Sequence, residues 1–383
     1  MAFDKVVDSA QLDSAMTYTA GRIREKTGET ASIPWNATKG FGDAIDTITA
    51  GSQKQIKVHT EAGATVTATL GTQSVSGTAG TDGICILNVP ENGDWTVSAV
   101  SGGISGTSQV VTVTDVYDVS ISFVSSVLND NDWSVIRMLS DRGEGENYWS
   151  IGDCKEVTLD GTFSPMTFSN YTTYAYIIGF NHNAALEGNN RIHFQLAKTE
   201  PSGGTDICFV SGYGANAASL GFFSMNTSKT NSGGWANSQM RNYTCGTSLT
   251  DYSDTFIAVI PDALRAALKP VTKYTDNTGN SSSSANAVTA TTDYFFLLSE
   301  YEVFGSISYA NSNEKSKQAQ YSYYSAGNSS VKYKHDARTT AAYWWLRSPD
   351  SNDSAAFVCV YDKGNMTVFY APYSYGFAPG FCV

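Results

Sequence analysis

From Ile56 the apolar residues of this chain fall on every second position, and that alternation decides more about its fold than any other feature. IKVHT, ATVTATL, ICILNV, WTVSAV, SQVVTV and VSISFV follow one another between 56 and 124, rich in Val, Ile and Thr. Side chains of an extended strand point to opposite faces in turn, so a period of two is the pattern of half-buried strands. Clusters of Gly, Asn, Asp and Pro, such as PENGD at 90–94, separate the runs and supply the turns. About six strands in so short a stretch predict a small antiparallel β-sandwich over residues 51–123, opened by the polar linker GSQKQ.

Before Ile56 the period is different. Leu12, Met16, Ala20 and Ile23 recur at helical spacing after a capping Asp8 or Ser9, and Gly28 ends the run. Pro34 and Trp35 lead into a second helix striped by Phe41, Ile45 and Ile48. Residues 1–50 therefore read as a helical module, too small to stand alone. Its residues Ala20–Gly28 (AGRIREKTG), Pro34, Phe41 and Ala44-Ile45 resemble a recurrent N-terminal module of tail and prophage proteins of Gram-positive bacteria. That resemblance implies attachment to other virion or tail proteins. In the sandwich, GATVTATL, TDGICILNVP and WTVSAV resemble the immunoglobulin-like, carboxypeptidase-regulatory type of spacer.

Charge narrows the function classes. The chain carries a formal net charge of −12. An acidic surface gains nothing from phosphates, which argues against nucleic acid and against anionic lipid. No apolar run approaches the roughly 18 residues of a membrane helix. The N-terminus MAFDKVVDSAQLDSAM lacks a basic stretch before an apolar core, so synthesis in the cytoplasm without a signal peptide is expected. Cys85, Cys154, Cys208, Cys245, Cys359 and Cys382 are widely spaced, which predicts free buried thiols. Cys359–Cys382 is the one pairing to test. No Cys or His pair has metal-ligand spacing, so no metal and no cofactor is expected.

Residues 124–383 are aromatic and punctuated by short strands and loops. A helix is predicted at 261–268 (PDALRAAL), and the low-complexity stretch Asp276–Ala290 is predicted to be a mobile loop. Four blocks stand out in order: YWSIGD at 148–153, IIGFNHN at 177–183, GGW at 233–235 with Met240-Arg241 and then FFLLSE and EVFG at 295–305, and YWWLRSP at 343–349 closed by GFAPGFC at 376–382. They resemble the W-L-R-S-P family of phage and bacterial C-type-lectin-like domains over about 250 residues. The fold class expected is therefore α+β: a helical module, an immunoglobulin-like sandwich and a C-terminal lectin-like domain.

The last blocks also resemble the variable proteins of diversity-generating retroelements, whose 3′ gene ends are rewritten with errors at adenines. The resemblance places a variable region at about 343–383. Adenine-directed change of AAC codons cannot produce Lys, Glu, Gln, Met or Trp. Only Lys363 and Met366 of these types occur in 350–377, a shortfall too small to argue from. The segment's own chemistry points to binding, because tyrosines among small polar residues give large contact area with few rotatable bonds. The expected ligand-binding set is Asp350, Asn352, Asp353, Tyr361, Asp362, Thr367, Phe369, Tyr370, Tyr373, Ser374 and Tyr375. Trp344, Trp345, Arg347, Gly364, Gly376 and Pro379 are expected to be scaffold, with Arg347 on a buried acid or carbonyl. Gly364 suits the turn of a hairpin between VCVY and MTVF; in VCVYDKGNMTVF, Val358, Val360, Met366 and Val368 are expected to face the core, and Cys359, Tyr361, Thr367 and Phe369 to face outward, as would Phe357 unless it is the exception to the pattern.

Catalysis is not expected. There is no G-x-S-x-G elbow, P-loop or dinucleotide fingerprint, and His182 and His193 read as structural hydrogen bonders. The E-P-N, Q-P-D and W-N-D elements of calcium-dependent lectins are missing, and NDND at 129–132 lacks EF-hand spacing. The expectation is a calcium-independent receptor binder on a phage tail or prophage particle, a trimer, recognising a host cell-surface protein or glycan. A structural tail or baseplate protein and a carbohydrate-active enzyme are the alternatives.

Overall fold

The computed structural model describes residues 54–383 except 103, 107, 164–165 and 211–222, together with Ser14, Thr17 and Tyr18. Those three residues are helical; the rest of the predicted N-terminal helical module lies outside the described residues. The chain divides into two compact units, Met1–Phe123 and Val124–Val383, and mixes helices with many strands in an α+β arrangement. Among the described residues no helix is long and apolar enough to cross a membrane.

Among its described residues the first unit holds eight strands: β1 (Gln55–His59), β2 (Thr65–Leu70), β3 (Gln73–Thr78), β4 (Ile84–Asn88), β5 (Gly93–Ser101), β6 (Ile104–Ser105), β7 (Gln109–Val113) and β8 (Val116–Ser120). One sheet runs β4-β1-β8; the other runs β3-β2-β5-β6, with β7 also paired to β5. The alternating residues do what their period requires. Val66, Ala68, Trp95, Val97 and Val113 are buried between the layers, and the intervening residues are wet. Trp95 keeps its polar end satisfied by donating Nε1–H to the Glu91 carbonyl at 3.2 Å. One pairing departs from the expected antiparallel pattern: β1 and β8 run parallel. They are the first and last strands of the unit, and the intervening chain provides the long connection that parallel neighbours need.

The second unit is built on a five-stranded sheet. Its strands are β9 (Cys154–Phe163), β10 (Met166–Phe180), β11 (Ile192–Lys198), β15 (Phe295–Phe296) and β21 (Gly380–Cys382), in the order β15-β21-β11-β10-β9. β11 reads IHFQLAK and is buried on both faces along almost its whole length. Helix α1 (Trp133–Arg142) lays Trp133 edge-on against Phe194 and Phe381, with centroids 5.6 and 6.1 Å away. It stops at Gly143, whose φ of 71° needs no side chain. The short helices are α2 (Ala184–Glu187), α3 (Asp262–Ala267), inside the predicted 261–268, α4 (Glu300–Phe304) and α5 (Ser322–Ser325).

Three smaller sheets complete the unit. β12 (Ile207–Cys208) pairs with β16 (Lys332–Lys334), which pairs with β17 (Ala337–Ala342). β13 (Val271–Asp276) pairs with β14 (Val288–Asp293), and β18 (Trp344–Pro349), β19 (Ala356–Val360) and β20 (Met366–Tyr370) form an antiparallel sheet. The stretch 276–290 corrects the expectation of a mobile loop. Both its ends lie in paired strands, and its tip is tied down by side chains. Asp276 Oδ1 accepts from the amides of Thr278 and Gly279, Asn231 Oδ1 from that of Asn280, and Asn311 Nδ2 donates to the Ser284 carbonyl. Small polar residues are low in complexity but rich in short-range hydrogen-bonding groups, which composition alone does not weigh. The NDND turn is structural in the same way, with Asn131 Oδ1 accepting from Ser125 N and its amide donating to the Ser125 and Val127 carbonyls. All six cysteines are free and buried.

Candidate binding face

The C-terminal sheet turns at Tyr361–Asn365. Tyr361 N donates to Asn365 O, Gly364 N donates to Tyr361 O, and Gly364 sits at φ 85°. A Cβ there would stand 2.9 Å from Ser330 Oγ and 3.0 Å from Val331, so both conformation and space call for glycine. The register sets Phe357 opposite Phe369, Cys359 opposite Thr367 and Ala356 opposite Tyr370.

The expected division into an inner and an outer parity does not hold. Every residue of β19, Phe357 and Cys359 included, is buried, and every residue of β20 is half-buried. β19 is the middle strand, covered on both faces; β20 is the edge strand, half covered on both. Alternation along VCVYDKGNMTVF thus reports strand geometry and not which face meets water.

Above this sheet lies a continuous aromatic surface. Tyr343 stacks on Phe369 at 5.4 Å and tilts against Tyr361 at 4.8 Å; Phe369 meets Tyr373 at 6.1 Å, and Tyr373 meets Tyr370 edge-on at 5.8 Å. Lys229 Nζ caps the Tyr370 ring at 3.5 Å. Tyr343, Tyr361, Phe369, Tyr370 and Tyr373 are all half-buried, so each ring keeps accessible surface; Asp362 and Thr367 are half-buried as well.

Two expected members lie beneath this surface. Tyr375 is 1% exposed and Ser374 is 1% exposed. Tyr375 is packed by Trp345 at 5.1 Å and Phe369 at 5.0 Å, and its backbone is drawn in because Gly376 bridges to Trp344. Gly376 lies so close to Cys208 Sγ and the Tyr343 carbonyl that a Cβ would collide with both. The sequence-adjacent tyrosines therefore split, with Tyr373 at the surface and Tyr375 in the core.

The turn at 350–355 joins the Tyr370 end of the face, since Ala371 N donates to the Ala355 carbonyl at 2.9 Å. Asn352 is exposed and Asp353 half-buried, but Asp350 is buried, against expectation. Its carboxylate is turned inward to accept the Asn352 amide at 2.9 Å, and its backbone bridges to Ala310. The turn is clamped from outside by Asn231, whose buried amide donates to the carbonyls of Asp350, Asp353 and Ala356 at 3.1, 2.8 and 2.8 Å. Lys229, Asn231 and Tyr343 were not singled out as members of the site. The first two lie more than a hundred residues upstream in a polar stretch with no periodicity to mark them.

Beneath the sheet, Arg347 is fully buried, as are Trp344 and Trp345. Arg347 Nε donates to Thr275 Oγ1 at 2.7 Å, Nη1 to the Leu297 carbonyl at 2.8 Å, and both Nη atoms grip Glu302. Glu302 also closes the capping box of α4 with Ser299. Lys273 Nζ lies 3.0 Å from Glu302, 2.5 Å from Glu187 and 2.7 Å from the Tyr321 hydroxyl. Burial pushes the Glu302 carboxyl up, but Arg347 and Lys273 outweigh it and hold Glu302 well below the carboxylate range. Glu187 has Lys273 without the arginine fork, and burial raises it to about 7. Glu314, buried under Ser348, is likewise raised by burial to about 7. Burial lowers His182 to about 3, so its ring, stacked 3.7 Å over Tyr321, is neutral. His193 takes the structural role expected, its Nδ1 lying 3.1 Å from the Tyr321 hydroxyl.

His182, Glu187 and Glu302 bring candidate ligand atoms within 4.8 Å of one another. The cation among them is already the Lys273 ammonium, and with Arg347 it balances the two glutamates. The arrangement is a closed, charge-neutral polar core; no side chain of this set has surface for a substrate to reach. A separate cleft of about 590 Å³ between α1, β9 and α3, lined by Trp133, Arg137, Lys155 and Ala263 among others, contains none of the expected site residues.

Residues 219–383 match a family model described as a domain of unknown function, DUF6273. The matched span contains the aromatic face, Asn231, Lys273, Glu302 and Arg347, but not Glu187. No curated protein matches the chain.

Proposed function

We propose that this protein is a receptor-binding protein of a phage tail or prophage particle. Residues 124–383 act as a C-type-lectin-like module, residues 51–123 as an immunoglobulin-like spacer, and residues 1–50 as the attachment to other virion proteins. The observation that carries the reading is the face formed by Tyr361, Phe369, Tyr370, Tyr373 and Lys229. Half-exposed rings held by one another and by a rigid sheet lose little conformational freedom on binding, which favours recognition of a host protein or glycan. Among the described residues the face contains no paired acid and base, and the shifted carboxyls Glu187 and Glu314 are buried, which favours binding over catalysis.

The test is binding of the labelled full chain to intact host cells, compared with a Tyr370→Ala/Tyr373→Ala double variant. The expected result is loss of cell binding by a variant that still folds, with a stability cost of about 1–3 kcal/mol for two half-buried packed rings, read separately in a thermal melt. Undiminished binding by the folded double variant would sink the reading in favour of a tail or baseplate assembly role. A reverse-transcriptase gene and a near-copy of the 3′ coding end in the neighbouring DNA would support diversification of the face.

A further inference from the structure

The polar core under the face contains one juxtaposition that its scaffold role does not require. Lys273, on β13, is fully buried, and its Nζ lies 2.5 Å from Oε2 of Glu187, at the end of α2, itself 1% exposed at the side chain. The amine is thus held directly against the carboxyl group, with no atom between them. Water is excluded, the ring of Phe296 lies 4.3 Å from Nζ and that of Tyr321 5.0 Å, and a second carboxylate, Glu302, stands 3.0 Å away.

We propose that Lys273 and Glu187 become joined by an intramolecular amide bond between Nζ and the Glu187 carboxyl carbon. The two acids are not equivalent. Glu302 has its oxygens taken by both Nη atoms of Arg347 and by Ser299 N, so it stays ionised and its carbon is shielded. Glu187 has Lys273 as its one close cation, with Asn183 Nδ2 at 3.3 Å and His182 Nε2 at 3.8 Å.

The step balances without a co-reactant. Proton transfer within the ion pair gives the neutral amine and the neutral carboxylic acid that react. The amine lone pair forms the Nζ–C bond and one C–O bond of Glu187 breaks. The departing oxygen leaves with two protons that began on the ammonium, as one water molecule, and nothing is oxidised or reduced. The Tyr321 hydroxyl, 2.7 Å from Nζ, is placed to relay those protons. Tyr321 connects onward to His193 Nδ1 at 3.1 Å. The bond would staple α2, which follows β10, to β13.

Intact-mass spectrometry of the denatured full chain, with a tryptic map, tests this. The expected mass is lower than that of the sequence by one water. The expected map lacks cleavage after Lys273 and contains a branched peptide joining the Lys273 and Glu187 segments. Lys273→Arg and Glu187→Ala should each carry the full mass of their sequence, whether or not they fold. Glu187→Gln should reach the wild-type product by releasing ammonia instead of water. A wild-type chain of full sequence mass with ordinary cleavage after Lys273 overturns the proposal. So does a branched peptide containing Glu302 in place of Glu187.

Discussion

Arg347 shows what a single residue in this chain commits its surroundings to. Burying a guanidinium is costly unless its fork is filled, and here three elements fill it, through Thr275, Leu297 and Glu302. Arg347→Ala should cost the second unit about 3–5 kcal/mol, because Glu302 would be left buried without the guanidinium that balances it. Chemical denaturation of variant against wild type measures it. Trp345→Ala should cost a similar 3–5 kcal/mol, since the indole is fully buried and donates to the Phe223 carbonyl at 2.7 Å. A melt that moved by less than a degree would show that the ring does not anchor the core. That Arg347 would be buried on an acid or a carbonyl was legible in the sequence, because an arginine inside an apolar aromatic block has few other fates. Which acid it takes was not, since Glu302 is 45 positions away and many carboxylates compete.

Glu314 gives a pH dependence at the same scale. Its carboxyl rises from an ordinary 4.5 to about 7 in the fold, through burial that hydrogen bonds from Asp276 N and Ser348 only partly offset. The folded state then holds a proton that the unfolded state has lost. Its contribution is therefore complete below 4.5 and disappears as pH rises to 7, at a slope of about 1.4 kcal/mol per pH unit. Glu314→Gln should remove that slope. Denaturation midpoints of both proteins between pH 4.5 and 8 test it, and parallel curves would count against the assignment.

At the scale of elements, the lesson lies in β19 and β20. Their existence, their turn at Gly364 and their pairing were readable from a period of two around a glycine. Their exposure was not, because it depends on neighbours supplied from elsewhere: β18 on one side, Tyr343 and the 373–376 segment above. The same dependence hid Tyr375 and Asp350. The side-chain amide of Asn231 gathers three carbonyls of the 350–355 turn and its flank. Asn231→Ala would remove that donor from Asp350 and Asp353, while the Ala356 carbonyl keeps Asp350 N, at roughly 1–3 kcal/mol for a buried polar group losing its partner. Hydrogen exchange should speed up at Asn352 and Ala355 while β11 amides stay protected. Uniform loss of protection would instead make Asn231 a general core residue.

For the whole molecule, the change of period at Ile56 and the aromatic blocks made the α+β class legible. The parallel β1–β8 pair and the ordering of the five-stranded sheet were not, since both depend on contacts between distant segments. Metal dependence is also a property of the whole molecule. With the space between Glu187 and Glu302 already filled by the Lys273 side chain, addition of a strong chelator should leave both the melting temperature and cell binding unchanged. A clear drop in either would reveal an oxygen-ligand site, with the NDND turn the first place to look.

The position of β21 bears on how the second unit comes into being. β21 is inserted between β15 and β11, and its Cys382 meets His193 across 189 residues of chain. On the ribosome, β11, buried on both faces in the finished fold, emerges early and must wait until translation has passed residue 382. Vectorial synthesis therefore cannot complete this sheet stepwise. The nascent unit passes through a state with an open slot at its centre, which a β-rich stretch of another nascent chain could enter and which a chaperone would have reason to shield.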